Sequence, residues 1–148
     1  MKKITFIGTG YVGLVSGTGI SDFGHKVICA DISKEKIQLL KNGGVPIYEP
    51  GLTELIKKNV NAGRLSFTSN VEKAIEQSDV IFIAVGTPQR EDGAADISAI
   101  ESVAENIGKN LNKYKVICTK STVPVGTGEL VKNIIKKHNH KNILFDYV

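Results

Sequence analysis

The chain has 148 residues, 41% of them apolar and 23% charged, enough to bury one core, and its 19 Lys and Arg exceed its 15 Asp and Glu only slightly. No apolar run reaches the roughly 20 residues that a bilayer span requires, and the two cysteines are not spaced as a metal pair, so membrane-spanning and cysteine-metal classes are excluded. Met1-Lys2-Lys3 leads into no long apolar leader, which predicts a cytoplasmic protein with no membrane partner.

In chain order, Lys3–Ile7 predicts a first strand and Tyr11–Phe23 a helix ending at Gly24, with Gly13, Ser16, Gly17 and Gly19 small enough for close packing on a sheet. Between them lies Gly8-Thr9-Gly10-Tyr11-Val12-Gly13. A strand, this glycine pattern and a helix together predict a dinucleotide-binding turn. Gly8 turns the chain off the strand, Gly10 admits a pyrophosphate to the backbone, and Gly13 lets the helix approach the sheet. The anion then rests on unpaired amides at the positive helix end.

A second strand, Lys26–Asp31, ends in the acid placed to accept hydrogen bonds from an adenosine ribose. The competing reading makes Asp31 the cap of the next helix, Lys34–Lys41, but Ser33 suits that role better. Val45–Leu52, bounded by Pro46 and Pro50, is an insert more elaborate than a crossover needs, and it opens a helix to about Val60. Arg64–Thr68 predicts a strand, Val71–Gln77 a short helix, and Asp79–Val85 a continuous apolar strand. Gly86-Thr87-Pro88 and a polar loop lead to a helix over Ile97–Leu111. Lys115–Thr119 predicts a fifth strand, ending in Lys120-Ser121-Thr122-Val123-Pro124-Val125-Gly126-Thr127; a helix to about His138 and a sixth strand over Asn142–Tyr147 follow.

Strict alternation of strand and helix predicts an α/β fold: a doubly wound parallel sheet of about six strands, Rossmann-type, with helices on both faces. Ligands in such folds gather at the carboxyl ends of the strands, where Gly8, Asp31, Thr87 and Thr122 all fall. Cys29 and Cys118 lie in apolar strands and read as core residues, and no metal site is expected. His25 reads as structural. The lysines and histidines between Lys132 and Lys141 read as a solvated helix face, because no aromatic residues are interleaved for base stacking; no nucleic-acid partner is expected.

Several strings make the chain resemble a known family. They are Gly8–Gly17 (GTGYVGLVSG), Pro46–Leu52 (PIYEPGL), Gly63–Leu65 (GRL), Ala84–Pro88 (AVGTP) with Ala95-Asp96, and Lys120–Thr127 (KSTVPVGT). Together they resemble the NAD-dependent nucleotide-sugar 6-dehydrogenases, in family order and over essentially the whole chain. GDP-mannose dehydrogenases share the layout; KSTVPVGT is more similar to the UDP-glucose branch.

The resemblance implies an NAD-binding domain over residues 1–148, with Tyr11 and Val12 against the cofactor and Asp31 and Lys36 holding the adenosine ribose. A carboxylate at Asp31 repels a 2′-phosphate and favours NAD over NADP; Lys34 and Lys36 are cations able to offset that phosphate, and Lys34 reads as solvated. Thr87 and Thr122 match threonines at the nicotinamide end, and Thr122 also one that positions a catalytic water. Glu49 is not matched to a catalytic group; its loop reads as shaping the site or a dimer contact.

The family oxidises a UDP-glucose primary alcohol to the acid in two hydride transfers, through a cysteine-bound thioester, on the way to polysaccharide precursors. The resemblance places that cysteine, a catalytic lysine and asparagine, a dimerisation helix and the UDP-sugar domain beyond Val148. The expectation is therefore NAD binding without turnover of UDP-glucose by these residues alone, within a longer, homodimeric enzyme. Two alternatives stand beside it: a stand-alone NAD-binding or sensing module, and a different NAD-dependent dehydrogenase, of the GDP-mannose, β-hydroxyacid or 6-phosphogluconate type.

Overall fold

The computed structural model describes residues 1–148. Six parallel strands form one sheet: β1 (Lys3–Ile7), β2 (Lys26–Ala30), β3 (Leu65–Thr68), β4 (Val80–Ile83), β5 (Lys115–Thr119) and β6 (Phe145–Tyr147), in the spatial order β3-β2-β1-β4-β5-β6. Six helices connect them: α1 (Tyr11–Asp22), α2 (Lys34–Lys41), α3 (Leu52–Asn61), α4 (Val71–Gln77), α5 (Ser98–Asn110) and α6 (Thr127–His138). The doubly wound α/β arrangement predicted from the alternation is thus the observed one. The strand order reverses between β1 and β4, where ligands of such sheets bind.

The two-residue period of the strands sorts the core into two layers. In β1, Ile4 and Phe6 pack with Leu14 of α1, Ile37 and Leu40 of α2 and Leu52 and Ile56 of α3. Ile7 on the opposite face packs with Ile75 of α4, Ile100 and Ile107 of α5, and Val131 and Ile135 of α6. Phe6 stacks on Phe82 across β1 and β4, with ring centroids 4.7 Å apart.

Polar groups inside the sheet are all satisfied. The Lys115 side chain, wholly buried at the start of β5, sends its Nζ to the carbonyls of Glu76 (3.1 Å) and Ser78 (2.6 Å), closing the C-terminal end of α4. Fully buried Asn59 donates to Asp22 Oδ1 at 3.0 Å and accepts from Arg64 Nε at 2.9 Å, tying α1, α3 and the start of β3 together. That is the place of the GRL string in the fold.

Three expectations need correction. The sixth strand begins at Phe145, not Asn142: Asn142 has φ 52°, and the Asn139 side chain clamps Ile143 by donating to its carbonyl at 2.7 Å and accepting from its amide at 3.1 Å. β4 is Val80–Ile83, not Asp79–Val85, although the Asp79 and Ala84 amides still donate to the carbonyls of Lys3 and Ile7, each at 2.8 Å; the Asp79 side chain also accepts from the Lys3 amide at 3.1 Å and the Lys113 ammonium at 2.5 Å. Of the three glycines along α1, Gly13 and Gly17 make the close approach, to the turn after β1 and to Cys29 of β2; the space beside Gly19 is open.

Candidate dinucleotide-binding site

The turn between β1 and α1 is built by two contacts that exclude a side chain. Gly8 has φ +108°, and a Cβ there would stand 2.5 Å from the Ala84 carbonyl oxygen. At Gly13 a Cβ would fall 1.9 Å from the Gly8 carbonyl oxygen, so α1 leans directly on the turn that starts it. Gly10 differs from both: no atom lies within 4 Å of where its Cβ would be, which leaves the backbone there bare.

Helix α1 starts without a side-chain cap and without an acid in its first turn. Every other helix carries a Glu there: Glu35, Glu54, Glu72, Glu101 and Glu129. The first-turn amides of Tyr11, Val12 and Gly13 have no carbonyl one turn back to bond. Together with the helix dipole they form a positive end that no side chain caps and no acid of the helix's own first turn offsets.

The parallel pairing of Ile7 with Ala30 sets the residues just past β1 beside those just past β2. Asp31 Oδ2 accepts from the Thr9 amide at 2.8 Å and the Thr9 hydroxyl at 2.7 Å, while Oδ1 accepts from the Ser33 amide at 2.9 Å. Burial works against its charge, but the Ser33 and Thr9 amides, the Thr9 hydroxyl and the Lys36 ammonium outweigh it and hold the carboxyl below the ordinary aspartate value. Ser33, not Asp31, caps α2, accepting from the Lys36 amide at 3.3 Å. Asp31 instead joins the glycine turn to the start of that helix.

Gly8 and Asp31 border an open cleft with a cavity volume of about 130 Å³, whose apolar walls include Ile32, Val71, Val85 and Val103, with Asn106 as a polar group. The other half of the carboxyl edge carries the two threonines. Thr87 Oγ1 donates to the Thr122 carbonyl at 2.9 Å, and Ser121 Oγ donates to the Val85 carbonyl at 2.7 Å, so the loops after β4 and β5 brace each other. Thr122 itself is exposed. Tyr11 and Val12, also exposed, flank the glycine turn, and the Tyr11 hydroxyl donates to the Glu49 carboxylate, which brings the PIYEPGL insert against α1.

Sequence reasoning missed Thr9 and Ser121. Thr9 was discoverable from strand register, since a donor two residues past β1 faces an acid just past β2; Ser121 had no comparable signal. The cysteines stay apart from this edge chemically: burial pushes the Cys29 thiol up to about 12 and raises that of Cys118 as well, which disfavours a thiolate at either. The structure holds no group of three or more His, Cys, Asp or Glu side chains suited to a metal, and no helix is long and apolar enough to cross a membrane.

Residues 2–148 match the NAD binding domain of the UDP-glucose/GDP-mannose dehydrogenase family. The UDP-glucose 6-dehydrogenase TuaD of Bacillus subtilis (strain 168) is 55% identical over 148 residues, which are 100% of this chain and 32% of that protein. A UDP-glucose dehydrogenase from the archaeon Pyrobaculum islandicum superposes with a TM-score of 0.94 at 36% identity, over 99% of this chain and 35% of its own. The GDP-mannose dehydrogenase of Pseudomonas aeruginosa, solved as a ternary complex, gives 0.93 at 38% identity, over 99% and 35%. The chain thus spans about a third of the length of these relatives. An uncapped glycine turn at the reversal of a six-stranded parallel sheet, matched from end to end by these proteins, places the chain in the UDP-glucose/GDP-mannose dehydrogenase family, as its NAD-binding domain.

Proposed function

We propose that residues 1–148 hold NAD for the oxidation of a nucleotide sugar, UDP-glucose in the first instance, within a polypeptide whose sugar-binding and nucleophilic groups lie outside them. The observation that carries this reading is the uncapped α1 N-terminus with its bare Gly10, following directly on Gly8, which lines a cleft together with Asp31. A dinucleotide pyrophosphate fits the amides of Tyr11, Val12 and Gly13, and the gap beside Gly10 leaves room for it. The apolar slot formed by Ile32, Val71 and Val103 suits an adenine ring, and Asp31 Oδ1, which has one protein donor to the two on Oδ2, suits a ribose hydroxyl.

Bound NAD supplies the hydride acceptor. The chain's own residues orient it: the braced Thr87 and Thr122 loops fix the nicotinamide end, Lys36 balances charge near the ribose, and Thr122 is exposed for ordering a water. Asp31 favours NAD over NADP by repulsion of the 2′-phosphate. The resemblance of KSTVPVGT to the UDP-glucose branch and the 55% identity to a UDP-glucose 6-dehydrogenase support UDP-glucose over GDP-mannose. A cytoplasmic homodimer feeding polysaccharide synthesis is the setting we propose for the whole enzyme.

Calorimetric titration of the 148-residue chain with NAD, NADP and UDP-glucose tests this. The expected result is NAD binding, much weaker NADP binding and none of UDP-glucose, with no NADH formed when NAD and UDP-glucose are mixed. Absence of NAD binding by a chain whose circular dichroism melt is cooperative would overturn the reading.

A further inference from the structure

The Asp31 carboxylate has about four lone-pair positions, and the protein occupies three of them. Both positions on Oδ2 are taken by one residue, Thr9, through its amide and its hydroxyl. Thr9 is 1% exposed and its hydroxyl points at nothing else in the protein, so this is its one polar task. The clamp leaves Oδ1 as the oxygen with capacity for a ligand and fixes the direction in which it faces. We infer that Thr9 is a positioning residue that sets cofactor choice, orienting Asp31 so that an unphosphorylated ribose is accepted and a 2′-phosphate refused. The inference rests on the NAD reading above.

The physics has two parts. A carboxylate that rotated freely would turn its charge aside from a phosphate and would spend orientation entropy on each ribose bond; a clamped one does neither. Charge-assisted donors also keep the group ionised, so the repelling charge persists into mildly acid solution. Lys36 from α2 is the charged side chain bearing on Asp31; the glycine turn and the β3–α4 turn, residues 8–10 and 69–70, contribute none.

Thr9→Val keeps the shape and removes the hydroxyl; Thr9→Ser keeps the hydroxyl and removes a methyl. In Thr9→Val, the ratio of NADP to NAD dissociation constants should fall several-fold, because a released carboxylate turns its charge away from the 2′-position. The acid limb of NAD binding should move to higher pH, and the Asp31 carboxyl resonance of the ligand-free protein should titrate later. Thr9→Ser should restore the ratio and both titrations. A Thr9→Val chain that binds less NAD but keeps the wild-type ratio and wild-type Asp31 titration overturns the inference while leaving the NAD reading intact. A wild-type chain that binds neither dinucleotide overturns both.

Discussion

Replacing Gly13 with alanine tests whether close helix-to-turn contact, and not glycine flexibility, is what this position requires. The added methyl would lie 1.9 Å from the Gly8 carbonyl oxygen and 3.3 Å from Ala84 Cβ. A carbon–oxygen contact needs about 3.3 Å, so α1 must retreat about 1.4 Å or the turn must open. Forcing volume into a packed site costs about 1–3 kcal/mol, and the better helix propensity of alanine returns up to about 1 kcal/mol. A net loss of about 1–2 kcal/mol follows, or a Tm lowered by roughly 3–6 °C for a chain of this size. Urea denaturation gives the stability, provided the m-value is unchanged. Gly19→Ala is the matched control on the same helix: nothing lies within 4 Å of its Cβ, so it should gain about 0.5–1 kcal/mol. If Gly13→Ala is as stable as wild type, or if Gly19→Ala loses as much as Gly13→Ala, the reasoning from contact is refuted. NAD binding should weaken in Gly13→Ala alone, because the displaced helix carries the anion-facing amides with it.

Two further outcomes are open to measurement. Burial lowers the Lys115 ammonium to about 8 from its ordinary 10.5, so between these values the unfolded chain holds a proton that the folded chain has released. The stability of wild type minus that of Lys115→Met should therefore rise as pH climbs from about 8 toward 10.5, by at most one proton's worth of slope; a flat difference in urea melts across that range would contradict the buried placement. The Tyr11–Glu49 contact raises the phenol's pKa, so Tyr11→Phe should remove a late-titrating component from the ultraviolet tyrosine titration, and Glu49→Gln should move it earlier. In NAD affinity the two changes should be non-additive; strict additivity would show that the insert does not act on the glycine turn.

The fold was legible because the patterns that specify it are local and repeated. Apolar strands alternating with amphipathic helices define the layers, and the glycine turn fixes the first crossover. What escaped depended on side chains meeting across the chain. The late start of β6 comes from Asn139 clamping Ile143 and from the positive φ of Asn142, neither of which alters hydropathy. Gly13, Gly17 and Gly19 look alike in a sequence, yet only the folded chain distinguishes the two that make a close approach. At the site, Asp31 stood out by chemical type and place, whereas Thr9 acts through the register of two strands and Glu49 through a contact 38 residues away.

The close seat of α1 on the sheet bears on inheritance. A Cβ at Gly17 would reach within 2.7 Å of Cys29 Sγ, a sulfur wholly enclosed between helix and strand. The absent methyl and the present thiol share one volume, so the two positions are not free to drift separately. A lineage that puts alanine at 17 must first shrink 29, and one that enlarges 29 has nowhere to put the excess while α1 holds its place. Twelve residues apart and outside the cofactor cleft, they form a single heritable spacer, and what descends through it is the distance at which the helix presents its amides.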